Sequence, residues 1–173
     1  MKPVHTLLAA AIAAFAINTH AASIATDGSW AEFDFDGAGS ALYDLNTLDT
    51  TFSFTLDQSA ILRVVDAGFS GDRFSIVANG SALGATSAPV AQGSSEYPIF
   101  DPAMAWSDSR FSKGSWTLAA GAYTITGSAT LSPFDSGFGY VSVTAVPEPE
   151  SYAMLLAGLG LVAAVAGYRN RNT

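Results

Sequence analysis

The chain has 173 residues, with 15 Asp and Glu against 7 Lys and Arg, a formal net charge of −8, no cysteine and only two histidines, His5 and His20. An acidic surface repels phosphate backbones and anionic headgroups, which excludes nucleic acid as a partner. Beyond residue 20 there is neither His nor Cys, so a Ser-His-Asp triad, a Cys-His pair and an ordinary zinc site are excluded there.

Lys2 and His5 precede an apolar run from Leu7 to Ile17, and Thr19-His20-Ala21 places small residues where a signal peptidase reads them. A charged start, a short apolar centre and a small-residue exit predict a secretory signal peptide over residues 1–21. A second possible cut follows Ser23-Ile24-Ala25.

Residues 22–145 predict one domain of ordinary size. Residues 22–146 carry thirteen acids against Arg63, Arg73, Arg110 and Lys113, a net charge of −9. Trp30 to Asp36 alternates apolar and acidic residues, the period of a half-buried strand, and Gly37-Ala38-Gly39 ends it. Phe52, Phe54 and Leu56 share one side of a second strand. Ile61 to Val65 and Phe74 to Val77 follow, and Asn79-Gly80 is the favoured dipeptide of a type I′ hairpin. Ser115 to Leu118, Ala122 to Leu131 and Gly139 to Thr144 complete the series. Short strands with turn signals every eight to twelve residues predict an all-β domain, a β-sandwich of jelly-roll-like form.

The stretch from Ala85 to Arg110 breaks the pattern, being rich in Ser, Pro and Gly. Asp101 followed by Pro102 predicts one capped helical turn inside it. Tyr97, Phe100 and Trp106 gather here beside Asp108, and flat rings beside carboxylates suit the C–H face of a pyranose. Tyr97, Trp106 and Asp108 are therefore candidate ligand-binding residues. The plainer expectation is that Trp106 plugs one end of the sandwich while Trp30 and Trp116 sit in the core. Asp66 and Asp72 flank a turn between two strands, and together with Asp108 they would form a calcium site if the fold gathers them. The competing expectation pairs Asp66 or Asp72 with Arg73 or Arg110. No other cofactor is expected. No carboxylate pair stands out by spacing for glycoside hydrolysis, so the domain is not expected to be an enzyme; an extracellular hydrolase is the third reading.

The tail has three parts: Val146-Pro147-Glu148-Pro149, an uncharged run from Tyr152 to Tyr168, and a basic end at Arg169 and Arg171. As a helix, the 17 residues 152–168 would span about 25 Å, the short end of what crosses a bilayer. The arginines would hold the basic end in the cytoplasm. The arrangement over residues 146–173 resembles the PEP-CTERM sorting tail of bacterial exported proteins. That resemblance implies signal peptidase and an exosortase as processing partners. It also implies transient anchoring in the inner membrane, then delivery to the cell surface or extracellular matrix. The expected role is structural or adhesive, in contact with exopolysaccharide in a biofilm-like matrix. The alternative is a carbohydrate-binding module using the 97–108 loop.

Overall fold

The computed structural model describes residues 21–93, 97–146 and 154–161. The signal-peptide reading of 1–21 therefore falls almost wholly outside the described residues. Pro147, Glu148, Pro149, Arg169 and Arg171 lie outside them too. Residues 154–161 are helical and exposed; the rest of the expected 152–168 helix is not among them. No helix within the described residues is long and apolar enough to cross a membrane.

The domain is built from β1 (Ala22–Ser23), β2 (Asp27–Phe35), β3 (Phe52–Leu56), β4 (Ala60–Asp66), β5 (Arg73–Ala78), β6 (Ser81–Ala85), α1 (Pro102–Ser107), β7 (Lys113–Leu118), β8 (Gly121–Leu131) and β9 (Gly137–Ala145). Two sheets form, in the orders β1-β3-β8-β5-β6 and β2-β9-β4-β7. The eight longer strands pair in a nested way: β2 with β9, β3 with β8, β4 with β7, and β5 with β6, all antiparallel. One long ribbon, closed at its tip by the β5–β6 hairpin, is thus wound into two layers, the winding of a jelly roll. At that tip Asn79 and Gly80 have φ of 49° and 77°. Both positive values are what a type I′ turn requires, so the dipeptide's local preference closes the ribbon.

Alternation along each strand sends one set of side chains between the layers. Phe33 and Phe35 of β2, Leu62 and Val64 of β4, Phe74 and Ile76 of β5, and Val141 and Val143 of β9 are all buried there. Phe74 lies at the centre. Its ring meets Phe33 edge-on at 5.1 Å and Phe35 at 5.2 Å, the offset geometry that aromatic quadrupoles favour. Room for these rings comes from β9. Gly139 pairs with Phe33 and Gly137 with Phe35. A Cβ on Gly139 would lie 2.6 Å from the Phe33 ring, and one on Gly137 would lie 2.7 Å from the Phe35 ring.

The short β1 departs from the sequence expectation. It adds to β3 in parallel, with Ala22 N–H donating to the Thr51 carbonyl at 2.9 Å and Ile24 N–H to the Ser53 carbonyl at 3.0 Å. Two residues are too few for a periodic signal, and only tertiary pairing reveals them. α1 matches its expectation: Asp101 caps it, accepting from the Met104 amide at 2.8 Å, and Pro102 opens it.

Truncating Phe74 to Ala should cost about 3–5 kcal/mol, the usual range for a fully buried aromatic. Equilibrium urea unfolding reads this directly, and an unmoved midpoint would place Phe74 outside the structural core.

Candidate functional site

The outer face of the four-stranded sheet carries the first candidate cluster. Alternation turns Trp30, Arg63, Val65, Lys113 and Tyr140 to this side. The segment around α1 folds over them, burying Val65, Ala105 and Phe111. Trp106 therefore lies on the flank of the sandwich, not as a plug in one end, and Trp30 lies beside it, only partly buried, instead of in the core. The two indoles are 5.9 Å apart and tilted by 45°. Arg63 sits 5.4 Å from the Trp106 ring centre, and the Lys113 ammonium 5.8 Å from it. The same ammonium donates to the Trp106 carbonyl at 2.6 Å. Trp116 stays on the inner side, half-buried against the main core.

Asp108 is likewise engaged. It accepts from the Arg110 amide at 2.9 Å and from the guanidinium at 2.6 Å, and Arg110 holds its carboxyl below the ordinary value. Arg110 thus pairs with Asp108 instead of Asp66 or Asp72, and Arg73 Nε donates to the Thr86 carbonyl at 3.0 Å. Asp108 does not join the other two acids in a calcium site. No group of three or more His, Cys, Asp or Glu side chains placed to hold a metal occurs among the described residues.

The second cluster lies where β4, β5 and β9 meet at one end of the sandwich. Asp66 and Asp72 are 0% and 2% exposed. Asp66 Oδ2 accepts from the Gly71 amide at 3.3 Å and the Asp72 amide at 3.2 Å, so one carboxyl organises the turn that carries the other. The Oδ1 atom of each is buried without a hydrogen-bond partner. Burial, with the neighbouring Asp72 charge adding to it, pushes Asp66 up to about 9. Burial also raises Asp72, to about 6, held back by the Ser132 hydroxyl and by Asp66. The two titrate as a pair, and Asp66 keeps its proton at neutral pH.

Above this pair opens a cleft of about 270 Å³, lined by Phe69, Phe100, Phe134, Phe138, Pro98 and Asp72 among others. A second hollow of about 480 Å³ adjoins it at Phe134 and runs toward Pro89 and Gln92. Phe69 and Phe134 form one ring pair at 5.9 Å; Phe100 and Phe138 form another, nearly parallel at 5.8 Å. Backbone bonds hold the walls in place. Gly68 and Ile99 exchange two hydrogen bonds of 2.8 Å, docking the 97–100 segment onto the β4–β5 turn. The Tyr140 hydroxyl donates to the Phe100 carbonyl at 2.8 Å. Burial and then Glu32 push that phenol up to about 12, so it remains a donor at any ordinary pH. Tyr97 points into solvent at 85% exposed, and Phe100 is 64% exposed.

Of the residues singled out from sequence, the fold thus brings Asp66 and Asp72 together and leaves Tyr97 open, while Trp106 and Asp108 are packed in their own contacts. Phe69, Phe134 and Phe138 were missed. Their signal was the placing of large apolar residues in or beside Gly- and Ser-rich turns, Gly68-Phe69-Ser70-Gly71 and Pro133-Phe134-Asp135-Ser136-Gly137-Phe138.

The carboxyl pair makes stability depend on pH. Both folded-state values lie above the ordinary 3.8 of an aspartate, so the folded state holds its protons longer. The stabilisation is complete below about pH 4 and is lost as pH rises through about 6 and then about 9. Asp66→Asn keeps an acceptor for the Gly71 and Asp72 amides and has nothing to ionise. Melting temperatures measured across that range should fall less steeply for this variant than for the parent chain. Parallel curves would mean that Asp66 does not hold the proton.

No curated protein matches the sequence. Among solved structures, the chain is similar to the C-terminal CBM6 of LamC, a marine laminarinase from Zobellia galactanivorans, at 15% identity and a TM-score of 0.35, over 67% of this chain and 99% of that one. Residues 145–171 match the PEP-CTERM protein-sorting motif; the first of them, Ala145, ends β9.

Proposed function

We propose that this is an exported, non-catalytic protein of the cell surface or extracellular matrix, delivered by its C-terminal sorting tail. The observation that carries the reading is where the motif begins. The last strand ends at Ala145, and the Val146 amide makes a final bond to the Ser59 carbonyl at 2.8 Å. The motif starts at residue 145. A cut just beyond Val146 by an exosortase would therefore release the sandwich with its ladders intact. The absence of His and Cys from residues 21–173 and the acidic surface support a structural or adhesive role in a polysaccharide-rich matrix.

The front of the domain fits the same account. A signal peptidase cut after Ala21 leaves β1 whole, since the Ala22 amide already bonds to Thr51. A cut after Ala25 would remove β1 and the buried Ile24. Intact-mass analysis of protein from culture supernatant should thus give an N-terminus at Ala22 and a C-terminus between Val146 and Glu150. Replacing Pro147, Glu148 and Pro149 together with Ala should leave the chain in the membrane fraction with Arg171 retained. A released species that still contains Arg171 would defeat the sorting account.

A second reading, glycan binding, is favoured by the exposure of Tyr97 and Phe100 beside the cleft. It moves the expected contact from Trp106, whose ring is occupied by Trp30, Arg63 and Lys113, to Phe100. On a glycan array, Phe100→Ala should abolish a specific signal that Trp106→Ala on a folded chain leaves in place. The reverse order would return the site to the 106–108 segment.

A further inference from the structure

We propose that the aromatic cleft at the β4–β5 end of the sandwich binds an organic ammonium group, with Phe69, Phe100, Phe134 and Phe138 as its walls and Asp72 as its counter-charge. The proposal stands apart from the matrix and neutral-glycan readings, because it rests on the cleft's charge as well as its rings.

The first support is the chemistry of the lining. Four phenylalanines border a hollow of about 270 Å³, below the roughly 300–1,000 Å³ usual for drug-sized ligands. The space suits one small ring or one alkylated nitrogen. Faces of aromatic rings carry negative potential and attract cations, and aromatic surrounds are a recurrent means of holding methylated or primary ammonium groups. Phenylalanine offers no hydrogen bond, so the walls alone give a neutral sugar little orientation.

The second support is the buried carboxyl. Asp72 lines this cleft, is 2% exposed, and its Oδ1 has no hydrogen-bond partner. A buried carboxylate met only by the neighbouring acid and a serine hydroxyl is costly unless a charge compensates it. Its Oδ2 lies 3.1 Å from where a Cβ on Gly137 would sit, so a side chain at residue 137 would crowd the carboxyl at the cleft floor. Both carboxyls are raised by burial and titrate as a pair, so the second proton to leave is held more tightly and the pair carries one negative charge beside the cleft at neutral pH. Among the described residues, no Lys or Arg lines either hollow. A cation entering the cleft would supply a compensating charge, and the net charge of −9 over residues 22–146 draws cations toward it.

The third support is rigidity. The walls come from three separate segments tied by the Gly68–Ile99 bond pair and the Tyr140–Phe100 bond. Gly71 at φ 143° allows Pro133 to close against the turn. Little ordering is left for a ligand to impose, which favours binding of even a small group.

Calorimetric titration of the full chain in non-ionic detergent tests this with three probes: choline, the fully deacetylated glucosamine trimer, and its N-acetylated counterpart. Heat of binding is expected for at least one of the two cations and at least tenfold weaker binding for the N-acetylated trimer. Choline alone would indicate a quaternary ammonium source; the glucosamine trimer would indicate an amino-polysaccharide. Asp72→Asn and Phe134→Ala should each weaken the cation by about tenfold on a chain with an unchanged near-ultraviolet spectrum. Should Asp72→Asn fail to fold, Phe100→Ala, at an exposed ring, carries the same expectation. Equal binding of the N-acetylated and free-amine trimers would overturn the ammonium assignment while leaving glycan binding intact. Silence from both cations would overturn it outright.

Discussion

Strand β9 is the constraint on which the rest of the domain depends. It lies between β2 and β4, and its register with both is continuous through Val141. Without it the four-stranded sheet has no middle, just as the other sheet has none without β8 between β3 and β5. Its two glycines open space for Phe33 and Phe35, and those rings in turn locate Phe74. The same strand reaches the carboxyl pair, since Asp66 stands opposite Gly139 in the ladder. Core packing and the chemistry of the cleft thus share one cause. Nested pairing also makes nearly all of these contacts distant in sequence, so the sheets close only when the last strand is in place.

Much of this was legible in the residues alone. Alternation and short β-branched runs located seven of the eight longer strands to within a few positions, because most bury one face against the opposite sheet; β6, which buries no residue, was implied by the turn before it. Asn79-Gly80 and Asp101-Pro102 announced the hairpin and the capped turn, since both act through local backbone geometry. What could not be read was which outward faces the long loop would cover. Trp106 stands in a Ser- and Pro-rich stretch and reads either as a plug in one end of the sandwich or as an open sugar platform. Only the fold shows Arg63, Trp30 and Lys113 arriving from three different strands to occupy it. The phenylalanines of the cleft escaped for a similar reason: they come from segments nearly seventy residues apart, and no periodicity marks a residue in a turn.

The two acids illustrate the boundary within a single site. Their spacing, six positions apart across one turn, was visible, and so was the thought that they act together. The sign of their effect was not. In sequence they look like solvated ligands awaiting a metal or an arginine. Buried, with Arg110 committed to Asp108, they become a proton-sharing pair whose remaining charge faces a cleft of rings.

Strand β9 also gives the molecule a direction. Its first residue, Gly137, lines the cleft, and its last, Ala145, opens the sorting motif. The strand is nine residues long, so its two ends lie about 27 Å apart at the usual rise. β2 runs antiparallel to it, with Asp27 opposite Thr144, so the turn from β1 into β2 lies at the same end from which the chain leaves. A domain tethered through its tail would therefore carry the cleft at its crown, turned away from whatever holds it.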